Sequence, residues 1–439
     1  MNGGACMLSF LGFAMVAVFM YLIMAKRLSA LVAIMIVPII FAIIGGFFTD
    51  LGPMMEAGVE NVAMTAIMIL FAILYFGIMI DTGLFDPLIK MILKLVKGDP
   101  LKIVVGTAFL SMMVALDGDG TTTYIITVSS LLPLYKRLGM NRLVLATTAM
   151  LSMGVMNMTP WGGASAMAVA SLGLDSSEIF IPMIPIMAIG LVWVVVAAFL
   201  LGMMERKRIG IIELDDSETV KVDESLTGTL AYKRPKLVWF NLVLTITLMV
   251  CLILDFMSLG LLFMIALAIA LLVNYPDLKL QQERLLSHSR NALAVVSIVI
   301  AAGIFSGIMS GTEMIDAMAQ TLVAVIPPAL GPYLAIIVAF LSAPFTFFMS
   351  NNAFYFGVLP ILAQTAEAYG ISAAEIGRAA LIGQPVHVLS PLVAAAHLMI
   401  GLVGTEFGDL QRFAMKWAFG TVTVMTIAAL IFGVISIGS

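Results

Sequence analysis

Charge is what this chain has least of: Asp, Glu, Lys and Arg together make up 11% of its 439 residues, while 62% are hydrophobic. So little charge over so long a chain excludes a soluble globular core and places most of its surface in lipid. Cysteine is scarcer still, and Cys6 and Cys251 both lie in or beside apolar segments, so no disulfide framework exists. A net charge of −4 argues against a nucleic-acid partner. There is no HExxH motif and no evident nucleophile and base pair, which leaves an intramembrane enzyme without machinery. Methionine, at 34 residues, is plentiful but scattered at helical spacing; it reads as apolar packing, with soft-metal binding as the alternative.

Apolar runs close to the length that crosses a bilayer recur throughout. Crossing helices are expected at 5–24, 29–47, 61–80, 143–172 and 178–203, and again at 237–255, 258–274, 292–311, 379–403 and 412–436. Lys26 and Arg27 follow the first run instead of preceding it, which argues against a cleaved signal peptide. With the N-terminus outside, Lys and Arg fall on the cytoplasmic side at every position except Arg378. The expectation is a multi-pass protein of the inner (plasma) membrane with both termini outside and a cytoplasmic linker over 204–236, the only long polar stretch.

Across that linker the sequence repeats at an offset of about 230 residues. Gly77-Ile78-Met79 matches Gly307-Ile308-Met309, Thr82 matches Thr312, Asp86 matches Asp316, and Thr159-Pro160 matches Ser390-Pro391. An odd number of crossings per half inverts the second copy. Asp86, Lys90, Lys94 and Lys97 line one helix face, as Glu313, Asp316 and Gln320 do in the second half, so both stripes are expected in the interface plane.

Two segments are too short or too polar to span. The arm from Leu101 to Leu116 is about 24 Å long as a helix, against about 30 Å of hydrocarbon. It leads into DGDGTTTY and returns from Ile125 to Leu134, with cytoplasmic lysines on both flanks, so it reads as a re-entrant hairpin. A counterpart runs from Gly331 to Ala366 with its tip at Met349–Tyr355. Each half then holds an interrupted helix, at Met156–Ser165 and at Gly383–His397. Non-helical backbone at membrane depth is tolerated only against protein or a water-filled cavity, so tips and breaks mark a cavity. The fold class expected is an all-α membrane protein, an inverted repeat of two five-helix halves, each with a re-entrant hairpin and a broken helix.

Asp117 and Asp119 read as a cation or proton site, Asp119 also as a metal ligand, against the alternative of a solvated Asp-Gly turn. Thr121 and Thr122 offer hydroxyl ligands; Thr123 stands equally well as a helix threonine bonded to its own preceding turn. Ser350, Asn351 and Asn352 on the second tip favour ligand contact over a plain structural turn. Asn157, Thr159, Gly162 and Gly163 on one break, with Gln384 and Ser390 on the other, contact substrate or satisfy freed backbone. His387 is a ligand or proton group or else a packed neutral ring, and His397 is weaker in the same role. Glu313, Asp316, Glu367 and Glu375 read as solvated external charges.

At DGDGTTTY, MTPWGG, MSNNAFYFGVLP and GQPVHVLSPLV the chain resembles the CitMHS family of citrate–divalent-metal proton symporters, within the ion transporter superfamily. YLIMAKRLSALVAI, FAILYFGIMIDTGLFDP, KGDPLKIVVGTA and TEFGDLQRF extend the likeness over essentially the whole length. The resemblance implies an elevator mechanism, usually in a homodimer. Residues 101–203 and 330–437 would form a mobile transport domain, and residues 1–97 and 237–328 the scaffold. It also implies uptake of citrate with a divalent ion of the Mg2+ or Ca2+ class and with protons, and no organic cofactor. Two stretches depart from the family pattern: Ala164, Ser165, Ala166 and Met167 after TPWGG, and SPLVAAAHL with His397. Both lie at the implied substrate site.

The residues agree on one point. No Lys or Arg occurs from Leu143 to Glu205 or from Asn291 to Gly377, so the centre offers no fixed cation to a tricarboxylate. A bound divalent ion and protons would remove most of the cost of carrying its charge into lipid. The alternatives are a proton- or sodium-coupled symporter of another di- or tricarboxylate or sugar acid, and an ion antiporter with no organic substrate.

Overall fold

The structure, a computed structural model, describes residues 3–96, 98–211, 230–254 and 256–436. Lys97 and residues 212–229 of the expected linker therefore lie outside the described residues. The fold is helical, with no strand among the described residues. Eight of the described helices are long and apolar enough to cross a membrane.

The first series is α1 (Gly3–Met24), α2 (Ala30–Ile44), α3 (Leu51–Asp81), α4 (Asp86–Val96), α5 (Pro100–Val114), α6 (Gly120–Arg137), α7 (Arg142–Met156), α8 (Gly163–Leu172) and α9 (Ser176–Ile209). The second runs α10 (Val238–Ile253), α11 (Leu259–Asn274), α12 (Leu278–Gly311), α13 (Met314–Val325) and α14 (Leu334–Phe348). It continues through a π-helical stretch at Ala353–Val358 into α15 (Leu359–Glu367), then α16 (Ala373–Leu381), the single turn α17 (Gln384–His387), α18 (Ala394–Val403) and α19 (Phe407–Ile431).

The helices pack in two sets, which touch through α8 with α12 and α3 and through α13 with α15. In one, α3 lies along α12 and against α11, with α1, α2 and α13 around them. In the other, α5, α7 and α9 pack together and meet α14, α16, α17 and α19. The α3–α12 crossing is built on glycine. A Cβ at Gly58 would collide with the Gly303 carbonyl and lie 2.8 Å from Gly307 Cα, and one at Gly303 would lie 2.6 Å from Gly58 O. Small residues four apart let backbones approach where hydrophobicity supplies no drive between helices, because the lipid is equally apolar.

Several helices outrun their apolar runs, which corrects the expected boundaries. α12 has 34 residues, starting at Leu278 rather than 292. At 1.5 Å per residue it is about 50 Å long. Its charged first turns stay helical because they have partners: His288 Nε2 lies 2.8 Å from Asp81 Oδ2 and Arg284 Nη1 3.5 Å from the same oxygen. α9 runs on to Ile209 because Arg208 pairs with Glu205 at 2.6 Å, while Glu205 also accepts from Asn141 N at 2.8 Å. α3 starts at Leu51 rather than 61, carrying Glu56 and Glu60 within it. Glu313 is not part of the helical stripe expected of it. It holds a left-handed turn (φ 58°) before α13, leaving Asp316 and Gln320 in the helix.

Gly307→Leu should therefore lower thermal stability in detergent by about 1–3 kcal/mol or abolish folding, as overpacked interiors do. Gly52→Leu, where an added Cβ meets nothing within 4 Å, serves as the unperturbed control. Equal melting of the two variants would mean that the glycine crossing is not what joins α3 to α12.

Candidate functional site

Four interruptions in the helices converge on one place. α5 ends in a 3-10 turn at Ala115–Asp117, and Gly118 then takes φ +76°, a left-handed conformation that glycine adopts without strain. The tip lies on the first break: Trp161 Nε1 donates to the Leu116 carbonyl at 2.7 Å, and a Cβ at Gly118 would come within 3.2 Å of the Trp161 ring. At Gly120 an added Cβ would touch Ala395, at the start of α18 after the second break.

The second tip, Met349–Asn352, is tied to that break. His387 Nδ1 lies 2.7 Å from the Thr346 carbonyl, and Ser390 Oγ donates to the Phe347 carbonyl at 2.6 Å. The two breaks are joined through amides. Asn157 Nδ2 donates to Gln384 Oε1 at 2.8 Å, and Gln384 Nε2 donates to the Tyr355 hydroxyl at 2.8 Å and to Asn351 Oδ1 at 3.4 Å. Gln384 is fully buried, and this chain of amides crosses directly from one half of the sequence to the other.

The residues expected at the site are thus brought together, but many of their side chains are already engaged. Asp119 is the N-cap of α6: Oδ1 accepts from Thr121 N at 3.1 Å, and Oδ2 accepts from Thr122 N at 3.0 Å and Thr122 Oγ1 at 2.7 Å. Asp117 is buried and accepts from Asp119 N at 2.9 Å. Ser350 Oγ accepts from Ala353 N at 3.2 Å. Ser390 and His387 are spent on holding the hairpin arm. His397 stands apart, exposed, with Nε2 2.8 Å from the Pro391 carbonyl and its ring on Phe407. Among the described residues no three His, Cys, Asp or Glu side chains gather to hold a metal.

What remains uncommitted is more telling. Thr159 Oγ1, Ser165 Oγ and Asn352 Oδ1 are buried without a hydrogen-bond partner. α8 begins at Gly163 with Gly162 as an N-cap that has no side chain to offer, and α18 begins after Val393, likewise without a side-chain cap. A Cβ at Gly163 would meet nothing within 4 Å, so the α8 N-terminus opens on free space. Gly162 is the opposite case, its missing Cβ leaving room for the Asn157 carbonyl. Uncapped helix starts present amide donors and a partial positive charge, the arrangement that binds carboxylates and phosphates.

The CitMHS citrate transporter model matches residues 19–383. The chain belongs to this family. Over 430 residues it is 61% identical to a Bacillus subtilis citrate transporter, covering 98% of this chain and all of that one. It is 55% identical over 432 residues to the Bacillus subtilis Mg(2+)/citrate complex secondary transporter, with the same coverage. Among solved structures, the Alcanivorax borkumensis YdaH transporter overlays with a TM-score of 0.56 at 13% identity, covering 86% of this chain and 87% of that one. That likeness is one of fold. Membership in CitMHS makes the protein a multi-pass membrane transporter and not an enzyme.

For this CitMHS member, sequence reasoning missed two side chains. Tyr355 is buried and completes the amide chain, and Trp161 reaches two ways. While its Nε1 holds the first tip, its ring packs on Phe76 of α3 (5.3 Å) and Phe263 of α11 (5.1 Å). Each sat inside a quoted motif; the signal available was an aromatic or hydroxyl beside a break.

Asn157→Ala and Gln384→Ala should each destabilise the protein, and the double variant should lose less than the sum. The coupling expected is about 0.6 kcal/mol, with an upper range near 1.7 kcal/mol, as for hydrogen bonds between membrane helices. Strict additivity of the melting shifts would sever the proposed link between the two breaks.

Proposed function

We propose that this protein takes up citrate as a complex with a divalent metal ion, coupled to protons, through an elevator movement. The transport domain (101–203 and 330–437) would carry the site past the scaffold (1–97 and 237–328). The observation that carries this reading is a pair of uncapped helix N-termini, those of α8 and α18, beside the orphaned Thr159, Ser165 and Asn352, with no Lys or Arg within the breaks.

The charges decide what can sit there. Each N-terminus is equivalent to about +0.5 elementary charge, so the pair offers roughly +1. A fully ionised tricarboxylate exceeds that by two charges, a deficit of many kcal/mol in a medium of low dielectric. A divalent ion bound to the tricarboxylate removes the excess. The metal is then cargo, held mostly by the citrate oxygens, in keeping with the lack of a His, Cys, Asp and Glu cluster among the described residues. Mg2+ or Ca2+, hard ions with oxygen ligands, suit such a complex. The relative named for Mg(2+)/citrate complexes supports the same reading.

Asp117 and Asp119, stacked at the first tip, take up the coupling proton. Asp117 is buried and accepts from Asp119 N, next along the same turn. The recurrence of element order from α1–α9 to α10–α19 supports two inverted halves. The charge bias supports placing both termini outside the plasma membrane and 204–236 in the cytoplasm. A homodimer rests on family likeness.

Labelled citrate uptake into proteoliposomes should require a divalent ion, and citrate and metal together should stabilise the protein far more than either alone. Stabilisation by citrate in the presence of a chelator would sink the complex. Gly163→Val should fold normally, because its Cβ meets only open space, yet abolish citrate-dependent stabilisation. Asp119→Asn retains an N-cap residue, so its fold should persist while the pH dependence of uptake changes. An unaltered pH and metal profile would remove Asp119 from the coupling.

A further inference from the structure

A crevice of about 1070 Å³ lies behind the first tip, between α4 and α10. Leu84, Phe85 and Leu88 line one wall and Val238, Leu242 and Ile246 the other. Its floor is Met113 and Leu116, the end of the hairpin arm just before Asp117. Leu116 is also the residue whose carbonyl accepts from Trp161, so the floor of the crevice is the back of the first tip.

The place where α13 meets α1, in the same positions of the two series, is closed by protein. Ser9 and Thr321 hydroxyls lie 2.7 Å apart, and Met318 occupies the space over Gly12. Between α4 and α10 the described side chains leave the crevice open; beside it Lys233 Nζ donates to Asp86 Oδ2 at 2.7 Å and Asn241 Nδ2 of α10 to Thr82 Oγ1 at 3.1 Å.

That end is basic. Lys90 lines the crevice and is exposed; Lys94 follows one turn along the same helix, and Lys236 is exposed just before α10. Trp239, 77% exposed on the first turn of α10, suits the level of lipid headgroups. The nearby acid, Asp86, is already paired with Lys233. An apolar slot beneath a row of lysines is complementary to a molecule with hydrocarbon tails and an anionic head.

We propose that the α4–α10 crevice holds one anionic phospholipid, its tails against Met113 and Leu116 and its headgroup at Lys90 and Lys236, and that this lipid steadies the first hairpin tip. The inference rests on the topology proposed above for the leaflet involved, but not on the identity of the transported substrate.

Native mass spectrometry of the purified full chain, titrated with phosphatidylglycerol and with phosphatidylcholine of the same acyl composition, tests it without citrate. Wild type should retain phosphatidylglycerol preferentially. The double variant Lys90→Gln, Lys236→Gln should weaken that retention roughly 30-fold, the worth of two lysines near an anionic surface, and leave phosphatidylcholine unchanged. Leu242→Trp, or Ile246→Trp should the first fail to fold, should displace either lipid by filling the slot. Removing phosphatidylglycerol from proteoliposomes should slow uptake by wild type and leave uptake by the Lys90→Gln, Lys236→Gln variant unaffected. Equal retention of the two lipids, or retention unmoved by the tryptophan, overturns the proposal in favour of bulk lipid. A dimer that buries Trp239 and excludes lipid overturns it in favour of a second copy of the chain.

Discussion

A backbone amide or carbonyl in hydrocarbon must find its partner within the protein, and this single demand organises the molecule. Most of the chain meets it by staying helical. Four places do not, and there the side chains take over. Asp119 caps α6, Ser350 caps the π-helical stretch, Ser390 and His387 hold the Phe347 and Thr346 carbonyls, and Trp161 holds that of Leu116. Because Trp161, His387 and Ser390 each sit on a different interruption from the carbonyl they hold, satisfying the backbone also ties each break to a hairpin tip.

What that tying leaves over is the site. Two helix starts, at α8 and α18, receive no side-chain cap, and three polar atoms beside them have no partner. In the proposed pocket these helix starts and orphaned atoms lie beside the Asp117 and Asp119 carboxylates, and with no Lys or Arg in the breaks they offer too little positive charge for a bare polyanion.

The remaining architecture keeps these joined tips and breaks between neighbours that pack without hydrophobic drive. Glycines at 58, 303 and 307 bring α3 and α12 backbone to backbone. Trp161, tied to the tip yet stacked on Phe76 and Phe263, is where they rest on those helices. An aromatic face without hydrogen bonds is a contact that two bodies can slide across, which is what the proposed elevator movement needs there. The polar ties between α3 and its surroundings, such as Asp81 with His288 and Tyr75 with Thr245, lie within one body instead.

Read alone, the sequence determined the class: scarcity of charge demanded lipid, DGDGTTTY and MSNNAFY marked interruptions between apolar arms, and Pro160 and Pro391 with their glycines and amides marked the breaks. It named Asn157, Gln384, Asn351 and Thr159 because polar residues in apolar surroundings stand out. Only the tertiary structure decided which of these side chains are free. Asp119 and Ser350 turned out to cap the turn that follows them, while Ser390 and His387 look identical in sequence to ligands yet meet carbonyls 43 and 41 residues distant, and no local pattern encodes those two pairings. The start of α12 was undecided for the same reason: Arg284 and His288 break an apolar run, but Asp81, brought beside them by folding, keeps them helical.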